Sequence, residues 1–194
     1  ARRFAHRLKT ALGKKCSEFS RYLADNDLSA IFEVIEPDDD PHIVEYDEPR
    51  LVLLALVRNS MKFEQLPYLE LRAIADRFHL EPKRLLVTVA NFKEFCDWVN
   101  NLEDEDWKLN GEPIEGVVVE DSSGFMVKIK GQWYRKWKSV RGILKEIERR
   151  GRSSRIEAFR SYYKDADLIY EAAKEYVSNA PNRGKKRKGL CPPP

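Results

Sequence analysis

Every strand-forming run in this chain lies before Trp137, and only helical spacing follows it. β-Branched and aromatic runs occur at 28–37, 43–58, 86–89 and 113–130. After Trp137, VRGILKEIERRG and SRIEAFRSYYKDADLIYEAAKEYVSNA carry apolar residues at helical intervals. Strands mixed with helices and then a block of helices predict an α+β protein with a helical appendix. The organisation expected is a core over 1–140, a helical appendix over 141–180 and a basic, disordered tail over 181–194.

Within the core, Phe4 to Asn26 has helical spacing, with Gly13 as a break. LSAIFEVIEP reads as a strand, DDDPH as an acidic loop, and IVEYDEPRLVLLALVRNS as two strands turning at Asp47–Pro49, together an antiparallel meander. LPYLELRAIADRFHL predicts an amphipathic helix with Leu66, Leu69, Ile74 and Phe78 near one face. LVTVANFKEFCDWVNNL predicts a short strand, then a helix capped by Asn91; EDEDWKLNGEP is a turn-rich acidic connector.

No apolar run approaches the roughly 20 residues that a membrane-spanning helix needs. Cys16, Cys96 and Cys191 are odd in number and far apart, and His6, His42 and His79 are isolated from them. This spacing gives neither a disulfide framework nor a zinc site, so a reducing, cytoplasmic setting is expected. The net charge of +3 conceals an asymmetry: 16 Lys/Arg against 25 Asp/Glu in residues 1–125, then 19 against 7 in residues 126–194. A basic segment of this kind suits a polyanionic partner, although a solvated helical surface has the same composition. Asp38, Asp39 and Asp40 read as a solvated loop rather than a metal cluster. Trp133, Tyr134, Trp137, Tyr162 and Tyr163 interleave with Arg135, Lys136, Lys138 and Arg141, which suits either single-stranded RNA or a helix-packing seam.

The stretch PIEGVVVEDSSGFMVKIKGQWYRKW contains two alternating runs around the turn signal DSSG. A loop of two or four residues places Glu115 opposite Lys130 and Val117 opposite Lys128. Glu115, Lys128 and Lys130 then share one face, with Phe125, Val127 and Ile129 on the core side. Two lysines beside a carboxylate can hold phosphate oxygens and a Mg²⁺ ion; a solvated cross-strand pair is the alternative.

At these residues the chain resembles a family. Glu115-Gly116, an apolar strand, then Lys128-x-Lys130 is similar to motifs IV and V of the covalent nucleotidyltransferases, the polynucleotide ligases and mRNA capping enzymes. Upstream, IFEVIEPDDDPHIVEYDEPRLVLLALVRN (31–59) resembles motifs III and IIIa of the phage-type, tRNA-repair RNA ligases, and KIKGQWY and SRIEAFRSYY are similar to the same branch. The resemblance implies the antiparallel-sheet core of a nucleotidyltransferase (ATP-grasp-like ligase) domain. It further implies ATP with Mg²⁺ or Mn²⁺ as cofactors and RNA ends, of the tRNA-repair type, as substrates. In that family a lysine takes AMP from ATP, passes it to an RNA 5′-phosphate, and a 3′-hydroxyl then displaces it. By the match, Lys128 and Lys130 are catalytic lysines that contact the phosphates. Glu33 is a ribose and metal residue, Phe32 a nucleotide-pocket residue, Glu115 the motif IV metal carboxylate, and Arg58 a further nucleotide contact.

The family's motif I, K-x-D-G, does not occur in these 194 residues. Lys108-Leu-Asn-Gly111 is its one lookalike, and it lies too close to Glu115 for the family's motif order. The chain, which starts at Ala1, is therefore expected to be the later part of a phage-type RNA ligase, with the nucleophile on another segment or a partner chain. The alternatives are a non-catalytic RNA-binding or scaffolding module and, less well matched, a DNA ligase or capping enzyme. Those enzymes continue into a β-barrel where this chain continues into helices.

Overall fold

A computed structural model describes residues 2–37 and 42–179. The acidic run Asp38–Asp40 and the basic tail over 181–194, with Cys191, lie outside the described residues. Among those described, no helix is long and apolar enough to cross a membrane. The chain forms two compact units, one of residues 1–40, 46–88 and 120–125, the other of the remainder.

The first unit opens with α1 (Arg2–Leu12), a 3₁₀ turn (Gly13–Lys15) and α2 (Cys16–Asp25). Gly13 at φ +52° makes the expected break between the helices. β1 (Leu28–Ile35) pairs antiparallel with β2 (Arg50–Arg58), from Leu28↔Arg58 to Ile35↔Arg50, with a bulge between Ile31 and Phe32. α3 (Tyr68–Phe78) ends at His79, whose left-handed φ of +57° turns the chain into a two-residue strand, β3 (Glu81–Pro82). β3 runs parallel to β2 through Val52↔Glu81 and Leu53↔Pro82. The Arg50 guanidinium grips the Glu81 carboxylate with two hydrogen bonds beside that pairing. Leu12, Phe19, Leu53, Leu56, Leu71, Ala75, Phe78 and Leu80 form the unit's core.

Three expectations are corrected here. Ile43–Tyr46 forms no strand: β2 already has β1 on one edge and β3 on the other, so the sheet is mixed rather than a meander. Residues 86–89 form no strand either, since the short stretch at 81–82 takes the edge of β2. Leu66, Ile74 and Phe78 pack on the core as expected, beside Leu71 and Ala75 of α3, but Leu69 is 76% exposed. The buried stripe is rotated by about half a turn of wheel from Leu69, because Leu71 stands two residues further on.

The second unit contains α4 (Phe92–Val99), whose cap is as expected: Asn91 Oδ1 accepts from the Glu94 N–H at 3.0 Å. A 3₁₀ turn (Asn100–Glu103) follows, then a tight turn in which Leu109 bridges Glu112 around Asn110 (φ +53°) and Gly111 (φ +86°). The hairpin strands β4 (Gly116–Glu120) and β5 (Met126–Lys130) lead into α5 (Gln132–Arg150), α6 (Ile156–Tyr162) and α7 (Ala166–Asn179). Val140, Ile143, Leu144 and Ile147 of α5 pack on Ile156, Phe159, Ala166, Tyr170 and Ala173, so the block after Trp137 is all helical, as its spacing predicts. The corner after α5 is closed by Glu146, whose carboxylate accepts from Ser153 Oγ (2.7 Å), the Ser154 N–H (3.1 Å) and Arg155 Nε (3.0 Å).

Candidate functional site

The DSSG turn sets the geometry of the hairpin. Gly124 takes φ +83°, and the Asp121 carboxylate accepts from the N–H groups of Ser123 and Phe125. The Asp121 N–H donates to the Phe125 carbonyl at 3.0 Å, which leaves a three-residue loop, Ser122–Gly124. At the far end the Gly131 N–H donates to the Glu115 carbonyl at 3.1 Å. Both bonds shift the facing residues by one from the expected register: Glu115 stands opposite Gly131, not Lys130. A glycine in the left-handed region closes a three-residue loop with a bulge, and a one-residue slip exchanges the faces. Of the three residues expected on the core side, Ile129 is part-buried opposite the buried Val117, while Phe125 and Val127 are 67% and 43% exposed.

The three charged side chains nevertheless meet. Lys130 Nζ lies 2.6 Å and Lys128 Nζ 2.9 Å from the same oxygen, Glu115 Oε1. Glu115 precedes the strand, and Gly116 takes φ +149°, so Glu115 is not bound by the alternation of β4. A Cβ at Gly116 would stand 2.0 Å from the Ile129 carbonyl oxygen and 2.7 Å from Lys130 Cα. Only glycine permits this approach, and the approach carries Glu115 to the lysines.

Burial alone would raise the Glu115 pKa, but the hydrogen bonds and charges of Lys130 and Lys128 outweigh it and hold the carboxyl below its ordinary range. The bond from Glu115 in turn raises Lys130. With side chains 31–55% exposed, each pair contributes at most about 1 kcal/mol. The trio carries a net charge of +1. Each ammonium has three donors and so can hold Glu115 and a phosphate oxygen together. Both lysines lie within 2.9 Å of Oε1, and a carboxylate has a second oxygen with which to meet a hard cation. Among the described residues no three His, Cys, Asp or Glu side chains group around one point. One carboxylate fits Mg²⁺ that arrives on a substrate's phosphates, because that ion is held by one or two carboxylates plus phosphate oxygens.

Tyr134, in the first turn of α5, was not singled out for this site by sequence. The residue is buried, and its ring centroid lies 4.5 Å from Lys130 Nζ and 5.9 Å from Lys138 Nζ. Its signal is the four-residue step from the end of a strand into the first turn of a helix. The other interleaved aromatics are largely a packing seam. Trp137 and Tyr163 pack on the helical core, Arg135 pairs with Glu103, and Lys136 pairs with Glu105 and Asp165, while Tyr162 is exposed. Lys108 is exposed at the mouth of the Leu109–Glu112 turn.

The remaining expected residues belong to the first unit. Glu33 is exposed on β1, opposite Val52 and just past the bulge. Phe32 points to the other face, with ring centroids 5.9 Å from Phe4 and 6.4 Å from Phe19, and so packs against the core. Arg58 closes β2 and pairs with Glu64 at 3.0 Å.

A protein-family model described as RNA ligase matches residues 1–134, more than half of the chain. No curated protein matches.

Proposed function

The chain belongs to this RNA ligase family, and from that premise we propose that it serves ATP-dependent joining of RNA 5′-phosphate and 3′-hydroxyl ends. The observation that carries the reading is the convergence of Lys128 and Lys130 on one oxygen of Glu115. In this reading the two lysines take the non-bridging oxygens of the ATP phosphates, neutralising charge that builds at phosphorus during transfer. Glu115 orients both ammonium groups and offers its second oxygen to Mg²⁺ or Mn²⁺ carried by the nucleotide. A bound divalent ion would supply further neutralisation of the phosphates. Glu33 keeps the ribose-or-metal role, Phe32 the nucleotide-pocket role and Arg58 the nucleotide-contact role that the family resemblance gives them.

We infer that the attacking lysine is on another segment or a partner chain; that K-x-D-G does not occur in these 194 residues supports this reading. Calorimetry with MgATP tests the reading. Lys128→Ala and Lys130→Ala are each expected to weaken binding at least about tenfold, by loss of a charge-assisted phosphate contact. Unchanged affinity in both variants would overturn it. Incubation with α-labelled ATP should leave no covalent label on the wild-type chain; label retained after denaturation would instead assign the nucleophile to this chain.

A further inference from the structure

We propose that the outer face of α5 is a track for the phosphate backbone of single-stranded RNA, continuous with the lysines of the hairpin. This inference rests on the ligase reading for the identity of the polyanion. Helix α5 begins where the family match ends, so the track lies on residues that the match leaves unassigned.

Lys138, Arg141, Lys145 and Arg149 are spaced i, i+3, i+7, i+11. At 3.6 residues per turn they fall within an arc of about 80° on the side away from Val140, Ile143, Leu144 and Ile147. No acidic residue lies within that arc, and Glu148 borders it. A solvated helix face ordinarily mixes its charges. Here the neighbouring cations are the neutralised ones: Arg135 on Glu103, Lys136 on Glu105 and Asp165, Arg155 on Glu146, Arg160 on Glu157 and Asp167. Lys138, Lys145 and Arg149 are exposed, and among the described residues none has a carboxylate partner.

The track is joined to the hairpin through one ring. Tyr134 has Lys130 Nζ at 4.5 Å and Lys138 Nζ at 5.9 Å. From Lys138 to Arg149 the helix rises about 16 Å, the length of about five phosphates at the roughly 3.4 Å spacing of a stacked strand. A 5′-phosphate at Lys128 and Lys130 would thus have the following phosphates led along α5. The contacts are to backbone charge, so the track reads no base sequence.

The test is fluorescence anisotropy of this chain with a 5′-phosphorylated, 3′-labelled ten-nucleotide oligo(A) RNA, titrated in salt. Three lost phosphate contacts lower the slope of log K against log salt by about 2, at about 0.7 per single-strand contact. Lys138→Gln/Lys145→Gln/Arg149→Gln is expected to show this, which narrows the affinity ratio between 50 and 200 mM salt about twentyfold. Lys145→Gln/Arg149→Gln, which leaves Tyr134 undisturbed, should lower the slope by about 1.4. A control of equal charge loss, Lys9→Gln/Lys14→Gln/Arg72→Gln, should leave the slope within about 0.5 of wild type, a margin below one contact. An unchanged slope in both track variants, an equal fall in the control, or no RNA binding by the wild type at 50 mM salt overturns the proposal. The basic run at 185–188 is common to all variants and cancels. ATP affinity is read separately. If neither Lys128→Ala nor Lys130→Ala weakens ATP binding while the track variants lose slope, the ligase reading falls and the track stands.

Discussion

Gly116→Ala isolates the backbone feature on which the lysine–glutamate trio depends. The added Cβ would meet the Ile129 carbonyl oxygen at 2.0 Å, Lys130 Cα at 2.7 Å and the Ile129 carbonyl carbon at 2.9 Å. All three are backbone atoms, so no side-chain rotation relieves the contact; β4 and β5 must separate by more than 1 Å, judged against ordinary carbon contacts of about 3.5 Å. A residue with a Cβ held at φ +149° costs about 1–3 kcal/mol. Loss of one or two cross-strand hydrogen bonds, including Gly131 N–H to Glu115, adds about 1 kcal/mol each. The expected cost is therefore about 2–5 kcal/mol, enough to open a two-stranded hairpin locally. Gly124→Ala is the matched control. It has φ +83° and nothing within 4 Å of its Cβ position, so it should cost only about 1 kcal/mol. Hydrogen exchange over residues 112–131 measures both. The Glu115 carboxyl, followed by NMR, should move from its lowered pKa towards 4.5 in Gly116→Ala and stay lowered in Gly124→Ala. Equal protection of the hairpin amides in the two variants would refute the steric account of the Glu-Gly pair.

Two further outcomes concern the helical block. Glu146 is held at about 2 instead of 4.5, first by Ser153 and then by Arg155, so its folded pKa lies below its unfolded one. Its contribution to stability is complete above about 4.5 and is lost as pH falls towards 2; the difference in Tm between wild type and Glu146→Gln should shrink over that window, and a constant difference would exclude the carboxylate as its source. Lys136 is 12% exposed between Glu105 (2.7 Å) and Asp165 (2.9 Å), which raise its pKa against the opposing effect of burial. Lys136→Met leaves both acids unpaired and should destabilise the chain by about 2 kcal/mol, with part recovered by adding Asp165→Asn; wild-type stability in urea would contradict this.

What the sequence disclosed depended on how local its physics was. The Gly13 break, the Asn91 cap and the helical run after Trp137 are each decided by residues within one or two turns, and each is found in place. The errors were decided elsewhere in the chain. Whether Ile43–Tyr46 or 86–89 became strands depended on which segment reached the free edge of β2, and the Arg50–Glu81 pair, 31 residues apart, marks the one that did. Phe32 could be assigned to a strand but not to a face without knowing that α1 and α2 lie over it. Tyr134 looked like one of several RNA-stacking aromatics until its ring was found beneath Lys130.

The hairpin shows why one inference outlived its own premise. Alternation with a two- or four-residue loop placed Glu115 beside the lysines; the loop has three residues, and that register would have turned Glu115 away. The contact persists because Glu115 stands before the first strand residue and Gly116 swings it back at φ +149°. Glycine in the Glu-Gly pair therefore has two coupled effects: it admits the Ile129 carbonyl, and it frees Glu115 from the pleat. The spacing from Lys128 to Lys130 needs only the strand, whereas the carboxylate needs the glycine. A substitution that preserves all three charges but adds a Cβ at position 116 should abolish their convergence.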